Sequence, residues 1–500
     1  YLRLVEEFCE VSTMEKQFLL SPEAPIVLLR KKEAAASKLA NSIAPDNPTL
    51  GVMMPSNPLH HIMMRELGFP LVATSGNLTD EPICIDEKEA QVRLRAIADF
   101  FLMHNRPIVR HVDDSVLRVV LGRELMLRRA RGYAPLPITV KENLPAILSV
   151  GGHLKNTIAV SKDRNVFLSQ HIGDLETSEA YHAFEEVARS LRNMYDIVPG
   201  MVVSDRHPNY ISTQYAEKLG IPHVSVQHHH AHIAACLAEH QLDGPVLGVS
   251  WDGTGYGDDQ TIWGGEFIHA KKKEYKRFAY FRPFPLPSGD RAVKEPRRTA
   301  LGLLYAMLSE EEFLDADWLP FQSFERNDLI LIKRMLIQNI NCPLVCSVGR
   351  LFDAVASLIG LRHQVSFEGQ AAIALEHSIR GNERGHYPYT FHKTETMHMI
   401  DWEPMIREIL SDWEKQVSPP AIAAKFHNTL VEIIVSVAKK CKENTISLSG
   451  GCFQNTYLLE QSVTRLKQEG FQVVWHRRIP PNDGGIALGQ LIAAFHREKT

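Results

Sequence analysis

Two stretches of this 500-residue chain carry the same succession of short apolar strands, a glycine-rich turn, and alternating helices and strands. An internal duplication of that kind restricts the fold more than any other feature of the sequence. The first copy begins with an apolar strand at 146–150 and the Gly151-Gly152 turn. It continues with strands at 157–160 and 166–168, a helix at 178–195, a strand at 201–204, a short helix, a strand at 224–226 and another helix. The second begins at 246–250, turns through Asp252-Gly253-Thr254-Gly255-Tyr256-Gly257 and returns with a strand at 266–269. After a long insertion it closes with a helix at 421–439, a strand at 445–448, a helix, a strand at 473–475 and a helix at 485–495. A glycine-rich hairpin at the head of each half suits a cleft in which two backbone turns grip one phosphate chain.

This plan resembles that of the actin, hexokinase and heat-shock ATPase (ASKHA) superfamily; the alternative is two unrelated α/β domains. The expected fold class is therefore α/β, with a separate α/β domain at 1–140 followed by a duplicated actin-like domain at 146–500. Its lobes are expected at about 146–245 and 246–500, with a helical insertion at about 282–380 that opens on Pro283-Phe284-Pro285-Leu286-Pro287. In the first domain, residues 24–29 and 70–74 read as strands and 86–100 as a helix with Asp86 at its N-cap. Between the domains, Arg131-Gly132-Tyr133-Ala134-Pro135-Leu136-Pro137 is turn-rich and 141–145 reads as an exposed linker.

Charge narrows the partners. A net charge of −4 gives no electrostatic footprint for nucleic acid, and the strongest basic clusters, Arg128-Arg129-Ala130-Arg131 and Lys271-Lys272-Lys273, read as solvated faces. No apolar run reaches the roughly 18 residues of a membrane span, so a soluble, cytoplasmic protein without a membrane partner is expected. The seven cysteines are odd in number and scattered, which fits reduced thiols; Cys342 and Cys346 alone make a weak zinc motif. The chain opens at Tyr1 with neither a start methionine nor a signal-peptide pattern, and the expectation is a fragment lacking an N-terminal part.

The densest chemical signal is Gln227-His228-His229-His230-Ala231-His232, directly after a strand and at the start of a helix. His228 and His232 are four apart, so both project from nearly the same helical face, a spacing that suits metal binding. Asp252 and Asp483, in turns at equivalent points of the duplicated fold, would complete a His/His/Asp/Asp shell for iron, zinc or manganese. The alternative is that the histidines cap a helix. Gly253, Thr254 and Gly255, with Gly450 and Gly451 in Leu448-Ser449-Gly450-Gly451, are candidate phosphate or nucleotide turns, and Lys155 beside Gly152 adds a point charge. Asp353 and Glu368 are placed to take ribose hydroxyls or, alternatively, are a helix cap and a surface charge. In the first domain Ser75 and Asn77, in Thr74-Ser75-Gly76-Asn77, follow a strand end where α/β sheets hold ligands; an Asx turn is the alternative.

Three sets of motifs carry a more specific resemblance. Thr74-Ser75-Gly76-Asn77 with Pro55-Ser56-Asn57-Pro58-Leu59-His60-His61 resembles the YrdC-like domain, which makes carbamoyl or threonylcarbamoyl adenylates. The histidine segment, Leu448-Ser449-Gly450-Gly451-Cys452-Phe453-Gln454-Asn455 and Asn482-Asp483-Gly484-Gly485 resemble the carbamoyl-transferring superfamily of actin-like fold. The order of the two domains is similar to that of the HypF family, the carbamoyltransferases of [NiFe]-hydrogenase maturation. That resemblance implies carbamoyl phosphate or carbamate and ATP with magnesium as substrates, a carbamoyl-adenylate intermediate, and transfer to the C-terminal cysteine of a protein partner, HypE. It implies Asp205, His207 and Glu266 as cleft-lining groups that join Lys155 in catalysis, and adds Arg110, Arg131 and Asn455 to the nucleotide-binding residues. Family members carry an acylphosphatase and a zinc-finger-like region ahead of these domains; this sequence shows neither, and Ser288 stands where glycine is more usual. The competing readings are a small-molecule O-carbamoyltransferase, which places the two domains in the opposite order, an actin-fold kinase, and a nucleotide-regulated scaffold.

Overall fold

The computed structural model describes residues 1–33, 39–40, 42–79, 81–271, 274–394 and 396–498, so Lys272 and Lys273 of the basic cluster lie outside the described residues. The chain divides into two compact units, one of residues 1–226, 234–242 and 476–500 and the other of residues 227–233 and 243–475.

The first unit contains two sheets. One runs in the order Thr49–Val52, Ile26–Arg30, Val116–Val120, Arg123–Arg128. Val27 and Leu29 alternate inward and pack on Leu117, Met126 and Leu19. Residues 70–74, expected as a strand, form none: Val72 is 79% exposed, and no strand among the described residues pairs with the segment. An apolar β-branched run favours a strand only where a neighbour accepts its backbone bonds and covers one face. The helix expected at 86–100 is Glu87–Arg93; Asp86 does cap it, accepting from the Lys88 and Glu89 amides, but the helix stops well short of Phe100.

The second sheet of this unit runs Pro137–Leu144, Ala159–Leu168, Ile147–Ser149, Met201–Asp205, His223–Val226. The two strands expected at 157–160 and 166–168 are one continuous strand, and the place beside it is taken by Pro137–Leu144. The exposed linker expected at 141–145 is therefore mostly sheet. Ile138, Val140 and Leu144 face inward while Thr139 and Lys141 face out, a period-2 pattern masked by its polar half. Helix Ser178–Tyr195 buries Ala180, Phe184, Val187, Ala188 and Leu191 along one stripe, with the Thr177 hydroxyl capping its start. Helix Ile486–Glu498 packs on the same sheet.

In the second unit the main sheet runs Thr390–Lys393, His398–Asp401, Tyr275–Phe281, Ile262–Ala270, Val246–Tyr256, Thr445–Ser449, Gln472–Trp475. The Val246–Tyr256 strand is antiparallel to Ile262–Ala270 and parallel to Thr445–Ser449. It continues through the glycines expected to form a turn. A bulge between Trp251 and Gly255 absorbs them, and the chain reverses only after Tyr256. The insertion is mostly helical, and its helix Val348–Leu358 packs on that strand and on Pro296–Tyr305. Helix Pro419–Cys441 is long and apolar enough to cross a membrane, but 72% of its apolar window is buried inside the protein. All seven cysteines are free.

Candidate active site

Strand Val246–Tyr256 and the first turn of helix His228–Glu239 build the charged part of the site within the second unit. Asp252 ends the regular part of the strand. Its Oδ1 accepts the Gly253 amide at 2.7 Å, which turns Oδ2 toward the helix. There Oδ2 stands 2.8 Å from His232 Nε2 and 3.9 Å from His228 Nε2, and the two rings are 5.0 Å apart. The other histidines are turned to separate tasks: Gln227 Nε2 donates to His229 Nδ1, and His230 Nε2 meets the Lys271 carbonyl. A Cβ on Gly255 would collide with the rings of both His229 and His228, so glycine lets the strand pass this close to the helix.

Burial pushes the Asp252 carboxyl up, but the His228 and His232 imidazoles beside it overcome that and hold the group well below the usual carboxylate range. Burial and the neighbouring imidazoles of His228 and His232 push the His229 imidazole far down, so it is neutral. Bond lengths of about 2.0–2.2 Å place the donor atoms of one transition metal roughly 3–4 Å apart. The ligand atoms of His228, His232 and Asp252 lie within 4.8 Å of one another, and a set of imidazoles and one ionised carboxylate fits such an ion.

Helix Val348–Leu358 fixes the other side of Asp252. The hydroxyl of its N-cap, Ser347, donates to the Asp252 carbonyl at 2.6 Å. Gly349 and Gly451 flank the Asp252-Gly253 step so closely that a Cβ on either would stand 2.8 Å from it, against Gly253 Cα and Asp252 Oδ1 respectively. Asp353 is buried one turn along this helix and faces Arg350, while Glu368 Oε1 is 3.8 Å from the Cβ position of Gly253. Burial drives the Asp353 carboxyl up to about 6, with Arg350 opposing the shift and Glu368 adding to it. Gly253, Asp353 and Glu368 are thus gathered at one place, and Gly450 and Gly451 follow the adjacent strand. Thr254 lies on the bulge, exposed.

Two expected residues of this unit are tied into the framework. Asn455 caps helix Thr456–Gln468 through Oδ1 and meets His427 Nε2 at 2.9 Å through its amide nitrogen. Glu266 is fully buried: Arg277 grips both its oxygens at 2.5 and 3.1 Å, and Cys346 Sγ donates to it at 3.0 Å. Arg277 is itself held between the Trp263 and Tyr280 rings, 4.0 Å from each centroid.

The first unit has its own glycine turn. Gln490 Oε1 accepts from Ser149 Oγ and from the Gly151 amide, and its Nε2 donates to the Gly151 carbonyl. Asp483 begins the short helical turn Asp483–Gly485, capped by Asn482, and its Oδ2 is 3.3 Å from the Cβ position of Gly152. Lys155 sits in left-handed backbone with its amide on Asp174 Oδ1 at 2.7 Å. Asp205 is buried at a strand end and accepts the His207 amide, and the His207 ring stacks on Tyr210 at 4.1 Å. Asp483, Lys155, Asp205 and His207 therefore all belong to this unit, whereas His228 and His232 belong to the other.

In the first domain Ser75 is exposed, Asn77 donates to the Leu78 and Glu81 carbonyls, and Arg110 is half-buried. Arg131 clamps Asp114 and the carbonyls of Glu23 and Ala24. Sequence reasoning missed Gln490, Arg277 and Arg350. Gln490 is a lone polar residue in an otherwise apolar helical stripe, the kind of position where a buried amide has a specific partner.

Comparison with known proteins defines the class. A family model described as telomere recombination (Sua5/YciO/YrdC) matches residues 2–130; the HypF Kae1-like domain matches 142–239, and the second subdomain of the carbamoyltransferase Kae1-like domain matches 248–490. The molecule is thus a YrdC-like domain followed by a Kae1-like domain of actin type. Carbamoyltransferase HypF of Synechocystis sp. is 46% identical over 98% of this chain and 65% of its own length, and HypF2 of Cupriavidus necator is 36% identical over 99% and 66%. A solved full-length HypF in its phosphate- and nucleotide-bound form superposes with a TM-score of 0.95 at 42% identity, covering all of this chain and 78% of that one. This chain belongs to the HypF carbamoyltransferase family, and it spans just under two thirds of the length of those curated relatives.

Proposed function

We propose that this chain carries out the adenylation and transfer steps of a carbamoyltransferase in [NiFe]-hydrogenase maturation. What supports this most is that an adenylate-forming type of domain and a Kae1-like domain, in HypF order, together account for almost the whole sequence. The domain at 1–140 would join carbamate, delivered as such or from carbamoyl phosphate, to ATP with magnesium, giving carbamoyl-AMP and releasing pyrophosphate. Carbamate is a poor acyl donor, and AMP supplies a stabilised leaving group. In the domain at 146–500, a thiolate, proposed as the C-terminal cysteine of HypE, attacks the carbamoyl carbon. A C–S bond forms, the C–O bond to AMP breaks, and the thiol proton goes to solvent.

In this reading His228, His232 and Asp252 hold a transition metal, with Asp483 of the first unit proposed as the fourth donor. When bound, the ion would polarise the carbamoyl oxygen as a Lewis acid. Asp252, held ionised, needs no proton release to accept it. Gly253, Thr254, Gly255, Gly450 and Gly451 would approach the nucleotide with their backbone, while Asp353 and Glu368 accept from the ribose hydroxyls. Lys155, Asp205 and His207 would line the first unit's part of the cleft. Ser75, Asn77, Arg110 and Arg131 are the proposed adenylate-site residues of the first domain.

The test is a product assay with ATP, magnesium and either carbamate or carbamoyl phosphate, resolving AMP from ADP. AMP and pyrophosphate formed only with the carbamoyl donor are the expected products. ADP, or AMP indifferent to the donor, would replace this reading with an actin-fold kinase.

A further inference from the structure

Arg350 is a buried cation of the second unit that none of the assignments above uses. It sits in the first turn of helix Val348–Leu358, its amide donating to the Ser347 hydroxyl, and only 4% of the residue is exposed. Its Nη1 is 3.0 Å from Asp353 Oδ2, yet neither atom is aligned for a hydrogen bond, and Nε has no hydrogen-bond partner in the protein. A guanidinium stays charged and carries five N–H donors in a planar fork. Burying one with several donors unmet is costly unless something else accepts from it.

The position says what that acceptor is. Nη2 lies 3.2 Å from the Cβ position of Gly253, the residue that follows Asp252, and Nη1 faces Asp353. Passing along the site one meets the metal-ligating carboxylate Asp252, the Gly253 backbone, the Arg350 fork, then Asp353 with Glu368 alongside. A nucleotide bound with its ribose on the last pair carries its phosphate back toward the metal residues. The α-phosphate then falls at the fork, where planar guanidinium geometry matches two of its oxygens.

Resting on the functional reading above, we infer that Arg350 binds the α-phosphate of the nucleotide or acyl-adenylate in the second unit, between the Asp252 turn and the Asp353–Glu368 carboxylates. The ligand class is a nucleoside 5′-monophosphate ester. A nucleoside without phosphate gains nothing from the residue.

Photolabelling with 8-azido-AMP and 8-azidoadenosine, quantified on peptides from residues 243–475 as a function of ligand concentration, reads this unit alone. In the wild-type protein, AMP labels at lower concentration than adenosine. In Arg350→Met the AMP midpoint rises about tenfold to a hundredfold, as expected for loss of a charge-assisted hydrogen bond, while the adenosine midpoint stays put. An unchanged AMP-to-adenosine ratio in the variant overturns the inference, and so does an equal weakening of both, which would make Arg350 only a brace for its helix. Absence of labelling by either ligand in the wild-type protein would instead overturn the functional reading itself. Should Arg350→Met fail to fold, Arg350→Lys keeps the charge but loses the fork, and the same ratio decides.

Discussion

Both units end a central strand in a glycine-rich segment, but they secure it by different means. In the first unit the Gly151 backbone is held on both sides by one neutral amide, Gln490, which bridges it to Ser149. In the second unit the corresponding strand carries Asp252, and its surroundings are charged or titratable: His228, His232, Arg350, Asp353 and Glu368. A neutral amide fixes a loop without creating a field, whereas buried charges fix it only while each has its partner. Damage to the first should loosen geometry; damage to the second should remove chemistry.

The sharpest way to break that contrast is at the proposed metal ligands. Asp252→Asn or His232→Ala should abolish tight transition-metal binding and lower carbamoyl transfer by at least about a hundredfold, since even outer-shell partners of metal ligands are worth 10–100-fold. Metal analysis of the purified variants, with circular dichroism to confirm folding, checks it. Retained metal in both variants would remove the proposed ligand set. Next in size is the Glu266–Arg277 pair. Arg277→Met leaves a buried carboxylate against Cys346, and about 3–5 kcal/mol of stability should be lost in denaturant unfolding. If stability held and only the transfer rate fell, Glu266 would be reacting with ligand rather than bracing the sheet. Gln490→Ala comes third. It strands the Ser149 hydroxyl and the Gly151 amide, and each buried group left unsatisfied destabilises by about 1–3 kcal/mol. Metal content should not change, which is how the neutral and charged supports are told apart.

Much of this contrast is legible in the amino-acid order itself. The duplication is carried by apolar strands long enough to show their pattern, and helix Ser178–Tyr195 falls where its periodicity puts it. The histidine spacing likewise fixes which rings can share a face, because helical geometry is local. What could not be read depended on distant partners. The Pro137–Leu144 strand hides its inward residues among Lys141, Glu142 and Asn143, and only the neighbouring Ala159–Leu168 strand makes it a strand. Residues 70–74 fail for the opposite reason, since a favourable composition met no partner among the described residues. Glu266 reads as a free acid in sequence; the arginine that binds it comes from the neighbouring strand, 11 positions on.

Asp353 provides the smallest and most specific test, because its carboxyl is driven up to about 6 rather than down. Burial favours its neutral form in the folded protein, so its contribution to stability is fully present below about pH 4 and is lost as pH rises through 6. The groups facing it are Arg350, which opposes the shift, and Glu368, which adds to it. Nucleotide binding should show the opposite trend, since a ribose hydroxyl donates best to the carboxylate. Affinity in the second unit should fall several-fold between pH 7 and pH 5, with the midpoint near 6. Asp353→Asn should bind more weakly at pH 7 and flatten the profile over that interval. A profile that keeps its midpoint in Asp353→Asn would assign the titration to another group and leave Asp353 as a partner of Arg350 alone. Placed beside the neutral support at Gly151, where the same pH interval should change nothing, this dependence separates a loop held by charge from one held by an amide.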